Sequence, residues 1–352
     1  MIKTRSYAGF SADSPLKFYE FNRRELGEHD VHIKIKYCGI CHSDIHTVRN
    51  EWGGAVYPLV PGHEIVGVVE KVGAKVTRYQ PGATVGVGCM VGSCGHCQPC
   101  KDHKEQRCDK SVFTYNSVEQ DGQTTKGGYS DNIVVHEDFV LSVPDNLDLA
   151  AAAPLLCAGI TTYSPLKYWK VGKSDKVGVI GLGGLGHMAV KLASSMGAQV
   201  VVLSTSPEKK AAALKMGAHE VIISSQLEEV QKHLNSFDFM IDTVSAPHDV
   251  NLYLDLLKPE KTLCMVGISP QPHPVSSKSL IFKQKNLSGS LIGGIAETQE
   301  MLNYCGKHQI ECDIEIIPIQ KINEAYERVM RGDVQYRFVI DMQSLQDDHL
   351  PV

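Results

Sequence analysis

The feature that most constrains this chain is the run KVGVIGLGGLGHMAVKLASSMGA, in which an apolar strand pattern from Lys176 meets GLGGLG at 181–186 and passes directly into a helical pattern. The alternation then continues. QVVVLSTS reads as a strand, KKAAALKMGA as a helix and HEVIIS as a strand, and FDFMIDTVS and KTLCMVGIS are further strands with the helical LYLDLLK between them. Gly197 and Gly217 stand where helices end, suiting a left-handed C-terminal residue. Strands alternating with helices require a parallel sheet covered on both faces.

The expected class is therefore α/β, with a doubly wound Rossmann domain over 158–290. At 352 residues the chain exceeds the roughly 250–300 residues at which single cores stop growing, so a second domain is expected, built from 1–157 and 291–352. The alternating VHIKIKY at 31–37 and the β-branched run at 64–72, with turn signals at Gly73 and Pro81-Gly82, make its first part strands and loops. LAAAAPLLCAGITTYSPL, from Leu149, reads as helical, and the tail contains a helix near 323–331 and a strand near 336–340.

Thirty-five basic against 40 acidic residues, a formal charge of −5, offer no basic field for nucleic acid or an anionic membrane. A small neutral molecule is the expected partner. The first twenty residues lack the apolar core of a signal peptide, and the longest apolar stretch, 149–160, is too short to span a bilayer. A cytoplasmic protein is expected, in which clustered cysteines among the eleven serve metal rather than disulfides.

Four of them, Cys94, Cys97, Cys100 and Cys108, fall in GSCGHCQPCKDHKEQRC. That spacing lets one loop turn four thiolates onto a tetrahedral zinc with no open position, which is a structural site. A catalytic zinc instead needs three protein ligands and an exchangeable fourth position. CGICHSDIH at 38–46 and VPGHE at 60–64 supply Cys41 and His63, and Cys157 in PLLCAGITTY is the best third ligand, although a cysteine there taken alone is more often a core residue. Glu64 is either an occasional fourth ligand or a structural hydrogen-bond acceptor. Asp44 is suited to orienting His63 through its second nitrogen. Ser43 and His46 are suited to relaying a proton; the alternative is a turn residue and a surface histidine. Cys38, Cys89, Cys264, Cys305 and Cys312 read as small buried hydrophobes.

Gly181, Gly183 and Gly186, with Leu182, Gly184 and Leu185 between them, match the dinucleotide fingerprint in its required strand–turn–helix context. A free helix N-terminus there suits a pyrophosphate. About twenty residues on, where an acidic residue would bind the ribose 2′-hydroxyl of NAD, the chain reads VVVLSTSPEKK. Ser204, Thr205, Ser206, Lys209 and Lys210 suit a 2′-phosphate, so NADP(H) is the expected cofactor; the alternative is a Ser-Pro helix start with solvated lysines.

CGICHSDIH, PGHEIVGVV, the four-cysteine loop, GGYS at 127–130, PLLCAGITTY, GLGGLGH and RFVID at 337–341, in this order, resemble the zinc-containing medium-chain alcohol dehydrogenases over nearly the whole chain. The resemblance is greatest to the cinnamyl alcohol dehydrogenase branch with its NADP-dependent bacterial and yeast relatives. It implies a mainly β, GroES-like catalytic domain beside the Rossmann domain, two zinc ions per chain and a homodimer. It implies reversible conversion of primary alcohols and aldehydes, aromatic or medium aliphatic, mainly by reduction. By the same resemblance Thr161 packs beside the nicotinamide, Thr243, Val266 and Ile268 lie along the cofactor, Ser290 and Ile292 meet the carboxamide and Arg337 the pyrophosphate. His42 and His46 face the cofactor phosphate and ribose, and Trp52, Phe113 and Ile292 line the substrate pocket. Plant members acting on lignin precursors commonly have tryptophan where Phe113 stands, so that substrate does not transfer directly. The rivals are a polyol dehydrogenase of the same fold, which generally carries glutamate in place of Cys157, and a non-catalytic crystallin-like protein, which typically lacks the zinc ligands.

Overall fold

A computed structural model describes residues 1–119 and 122–349. The chain divides into two units, one of residues 1–157 with the segment from Gly293 onward, the other of 158–292.

The second unit is a six-stranded parallel sheet in the spatial order Glu220–Ile223, Gln199–Ser204, Lys176–Ile180, Phe237–Asp242, Leu257–Met265, Asn286–Gly289. In chain order this is 3-2-1-4-5-6, the doubly wound arrangement whose direction reverses between Lys176–Ile180 and Phe237–Asp242. The strands are apolar throughout because helices cover both faces, and Val177, Val179, Val200, Val201 and Val202 are all fully buried. The glycine turn leaves the first strand at that reversal. Gly181 has φ +85°, and a side chain there would meet Val244 at 2.8 Å.

The first unit is built on the long strand Asp30–Gly39. Ile65–Val72 pairs along one edge, and Asn132–His136 and Arg337–Asp341 share the other. The returning tail is thus part of this sheet, and Ile314–Pro318 extends it beside Arg337–Asp341. VHIKIKY is buried more completely than its alternation suggests: even His32, flanked by strands on both sides, is enclosed.

Two elements differ from the sequence reading. The segment at 149–166 is not one helix but Leu149–Ala152, a 3-10 stretch Ala153–Leu156 and a helix Ala158–Tyr168. Pro154 cannot donate within a helix, and Cys157, at φ −126° and ψ −64°, lies at the break. The helix Ile295–His308 was not anticipated, since its buried stripe of Thr298, Met301, Leu302 and Cys305 has helical spacing but little apolar mass. No single helix among the described residues is long and apolar enough to cross a membrane.

Candidate metal centres and cofactor site

Cys41, His63, Glu64 and Cys157 are all buried, with ligand atoms within 4.8 Å of one another. Local chemistry aims each of them. Cys41 is the N-cap of the helix His42–Val48, and Asp44, at its third position, turns back to accept the Cys41 N–H at 2.9 Å. The other Asp44 oxygen accepts from Gly62 N–H at 3.0 Å and lies 3.1 Å from His63 Nδ1. With Nδ1 so engaged, Nε2 is the nitrogen available to a metal.

The two sulfurs, Cys41 and Cys157, stand 3.9 Å apart. Two thiolates on a tetrahedral zinc at about 2.3 Å are separated by about 3.8 Å, so the spacing fits that ion. Their shared hydrogen bond draws the Cys41 thiol well below its ordinary pKa and lifts that of Cys157. Only one of two such sulfurs ionises easily unless a cation joins them, and sulfur and imidazole donors suit zinc rather than calcium or magnesium. Burial opposes the charging of His63, but the Asp44 carboxylate outweighs it and raises the imidazole well above its usual value.

Glu64 is fully enclosed, and burial pushes its carboxyl up to about 8 against the opposing charge of Arg337. Arg337 Nη2 lies 3.1 Å from Glu64 Oε1, an ion-pair distance without hydrogen-bond alignment, and Nη1 donates to the Ile40 carbonyl at 3.0 Å. The guanidinium is enclosed beside Glu64, with Nε and Nη2 making no hydrogen bond.

Ser43 Oγ is 3.6 Å from Cys41 Sγ. His46, one helical turn on, has Nδ1 2.5 Å from Glu51 Oε2 and its ring 5.1 Å from that of Trp52. His46 is buried, not a surface histidine, and Glu51 was missed; a carboxylate five residues beyond a helical histidine was the available signal. His42 stacks loosely on His46 with ring centres 6.1 Å apart. Trp52 and Phe113 are 40% and 39% exposed, leaving apolar surface for a ligand. Cys89 is partly buried beside the set, its thiol against Cys157 and 3.8 Å from the Leu156 carbonyl.

The second cluster, Cys94, Cys97, Cys100 and Cys108, lies on one half-exposed loop. Cys100 Sγ is 3.9 Å from Cys94 Sγ and 3.5 Å from Cys97 Sγ, again close to tetrahedral zinc–thiolate edges. Backbone N–H groups of His96 and Cys97 draw the Cys94 thiol down to about 6. His96 is exposed and turned to the Cys94 carbonyl, so four sulfurs alone face inward. A groove of about 1210 Å³ runs beside this loop, past Val91, Val112, His136 and Phe139, and includes none of Cys41, His63 or Cys157. Size alone does not locate the chemistry.

In the second unit Gly183 is exposed, with open space where a side chain would be, and Gly186 packs so closely that a Cβ would lie 2.2 Å from the Gly181 carbonyl. One glycine admits a ligand; the other seats the helix on the strand. Leu182 is buried, with Gly184 and Leu185 partly so. Ser204 ends the adjacent strand, its hydroxyl accepting from Ser206 N–H at 3.1 Å, and Thr205 is exposed. Lys209 reaches back to donate to the Leu182 carbonyl at 3.3 Å, which sets its charge over the glycine turn; Lys210 points to solvent. The Thr243 hydroxyl donates to the Ile180 carbonyl at 2.7 Å, bracing that turn. Val266 N–H is held by Asp242 and Ser290 N–H by Met265, while Ile268 is half exposed and Thr161 and Ile292 are buried.

Residues 27–145 match the alcohol dehydrogenase GroES-like domain, and residues 184–306 the zinc-binding dehydrogenase family. The chain is 53% identical over 349 residues to the aldehyde reductase YahK of Escherichia coli, covering 98% of this chain and all of that one. It is 53% identical over 348 residues to NADP-dependent alcohol dehydrogenase C 1 of Mycolicibacterium smegmatis, with 98% and 100% coverage. Among solved structures it is similar to the cinnamyl alcohol dehydrogenase of Helicobacter pylori complexed with NADP(H): 45% identity, TM-score 0.93, covering 97% of this chain and 99% of that one.

Proposed function

The chain belongs to the zinc-dependent medium-chain alcohol dehydrogenases, on the cinnamyl alcohol dehydrogenase branch, and from that premise we propose that it interconverts primary alcohols and aldehydes with NADP(H), mainly by aldehyde reduction. One observation carries the proposal: the buried donor set of Cys41, His63 and Cys157, with His63 turned by Asp44. Two zinc ions are held per chain, the second on Cys94, Cys97, Cys100 and Cys108.

Zinc bound at the first set polarises a carbonyl and eases loss of an alcohol proton, and bound NADPH supplies the hydride. The chain's own residues do the rest. Ser43 Oγ, beside Cys41, gives a proton to the new alkoxide, and His46, held by the partly exposed Glu51, restores it. Trp52 and Phe113 provide an apolar substrate wall, which favours aromatic or medium aliphatic groups over polyhydroxylated ones. Glu64, beside Arg337, would be available as an occasional further ligand when substrate or water is displaced. Ser204, Thr205 and Ser206 with Lys209 and Lys210 take the 2′-phosphate, the turn at 181–186 the pyrophosphate, and Thr161, Thr243, Val266, Ile268, Ser290 and Ile292 the nicotinamide half. We further propose a cytoplasmic homodimer; clustered zinc thiolates favour a reducing compartment.

Kinetic constants for benzaldehyde-type aldehydes, aliphatic aldehydes and polyols, each with both nicotinamide cofactors, test this reading. Aldehydes with NADPH are expected to exceed polyols at least about 100-fold in kcat/KM. A preference for polyols, or two bound zincs without turnover, overturns it. Ser204→Asp is expected to raise the KM for NADPH about 10- to 100-fold with little change for NADH, because a charge-assisted contact becomes a repulsion; an unchanged preference refutes the phosphate site.

A further inference from the structure

The GGYS turn at 127–130 has no part in the proposed chemistry, yet it is stitched to the segment that delivers His63. Gly127 N–H donates to Val60 O, Gly128 N–H to Gly62 O and Tyr129 N–H to Pro61 O, all at 2.8–2.9 Å. Gly62 takes φ +103°, and a side chain there would meet the Tyr129 ring at 2.7 Å. The tyrosine ring therefore lies directly on the turn before the ligand, and its hydroxyl points past it to Asp44.

Asp44 has no solvent exposure, so every acceptor direction of its carboxylate must be met inside the protein. A carboxylate offers about four. Gly62 N–H and His63 Nδ1 occupy Oδ1 at 3.0 and 3.1 Å, and Cys41 N–H occupies one direction of Oδ2 at 2.9 Å. The last is met by Tyr129 O–H at 3.3 Å. Tyr129 is itself fully buried, and behind it Tyr326, from the helix Ile322–Met330, places its hydroxyl 3.4 Å from the Tyr129 oxygen.

We infer that Tyr129, backed by Tyr326, is a positioning residue for the catalytic metal site: its phenol completes the donor set that fixes the Asp44 carboxylate against His63 and Cys41. This rests on the reading of Cys41, His63 and Cys157 as zinc ligands. Asp44 touches the backbone of one ligand and the side chain of another, so a carboxylate free to rotate away from Tyr129 loosens both together. The bond is long, and the effect is correspondingly graded. Tyr326→Phe acts in the same direction as Tyr129→Phe, and less.

The test follows zinc release from the intact protein to a chromogenic chelator, with the four-cysteine zinc as internal control. Cys41→Ala, which retains only that zinc, identifies its phase. Tyr129→Phe keeps the ring and removes only the hydroxyl. It is expected to speed release of the other zinc about five- to tenfold, below the about 10- to 100-fold typical when a direct partner of a ligand is lost. The four-cysteine phase stays unchanged, and kcat falls while the KM for NADPH holds. Tyr326→Phe gives a smaller shift of the same phase, and serves alone if Tyr129→Phe does not fold. Unchanged release, or equal acceleration of both phases with a lowered thermal midpoint, overturns the inference and marks the tyrosines as packing only. A wild-type protein whose zinc content is not reduced by Cys41→Ala instead defeats the zinc reading itself.

Discussion

The two cysteine-bearing sites solve the same coordination problem in opposite ways. The loop from Cys94 to Cys108 holds its four sulfurs within fifteen consecutive positions, half exposed, with backbone N–H groups as the main supporting contacts. The set of Cys41, His63 and Cys157 spans 117 positions, lies buried, and is surrounded by side chains that are not themselves the primary ligands: Asp44, Glu64 with Arg337, and Tyr129. A site that only crosslinks a loop needs no outside support, because four thiolates satisfy the ion and fix the loop together. A site that must leave a coordination position open draws its rigidity from the fold, through groups that orient the ligands without touching the metal.

The difference is broken most sharply by Cys41→Ala. Turnover is expected to fall more than about 1000-fold, since the Lewis acid contributes several kcal/mol to the transition state, while the zinc content drops from two to one and the circular dichroism is unchanged. Retained NADPH-dependent aldehyde reduction at that zinc content would sink the mechanism. Asp44→Asn comes next. An amide still accepts on one atom but presents N–H groups to donors on the other, so His63 and Cys41 lose part of their support. A loss of about 10- to 100-fold in zinc affinity or in kcat is expected, measured by competition with a chelator and by steady-state rates. A value within twofold of wild type would show that the buried ligands hold their own geometry, as those of the loop do.

The same contrast explains what could be read from sequence. The four-cysteine loop is local, and its spacing alone points to a closed zinc site. The Rossmann half is legible for a related reason: each strand and helix carries its own periodicity, and GLGGLG marks where the first strand ends. The catalytic set is different, because nothing local ties Cys157 to Cys41; tertiary folding brings the proline-broken segment before Cys157 to Cys41, with the sulfurs 3.9 Å apart. The supporting groups are less legible still. Tyr129 and Cys89 acquire their partners only through tertiary packing. Arg337, too, is enclosed beside Glu64, a pairing that nothing local in the sequence shows.

The smallest effect on chemistry is expected at the loop, from Cys108→Ser. Loss of its zinc lets the 94–108 segment open locally, and with it goes Glu105, whose carboxylate accepts from Ile295 N–H at 3.1 Å and caps the helix Ile295–His308. Removing such a cap costs about 1 kcal/mol, to which the lost crosslink adds, so the thermal midpoint is expected to fall by about 2–5 °C. The ligands of the catalytic site come from other segments, and none of the donors around Asp44 lies in the loop. The kcat per folded, zinc-loaded molecule should therefore stay within about twofold of wild type at a temperature well below the new midpoint, because local opening of one segment does not require the rest to follow. Active-site titration alongside calorimetry measures both quantities on one sample. If kcat falls in step with stability, the two sites are coupled, and the loop does more than crosslink itself.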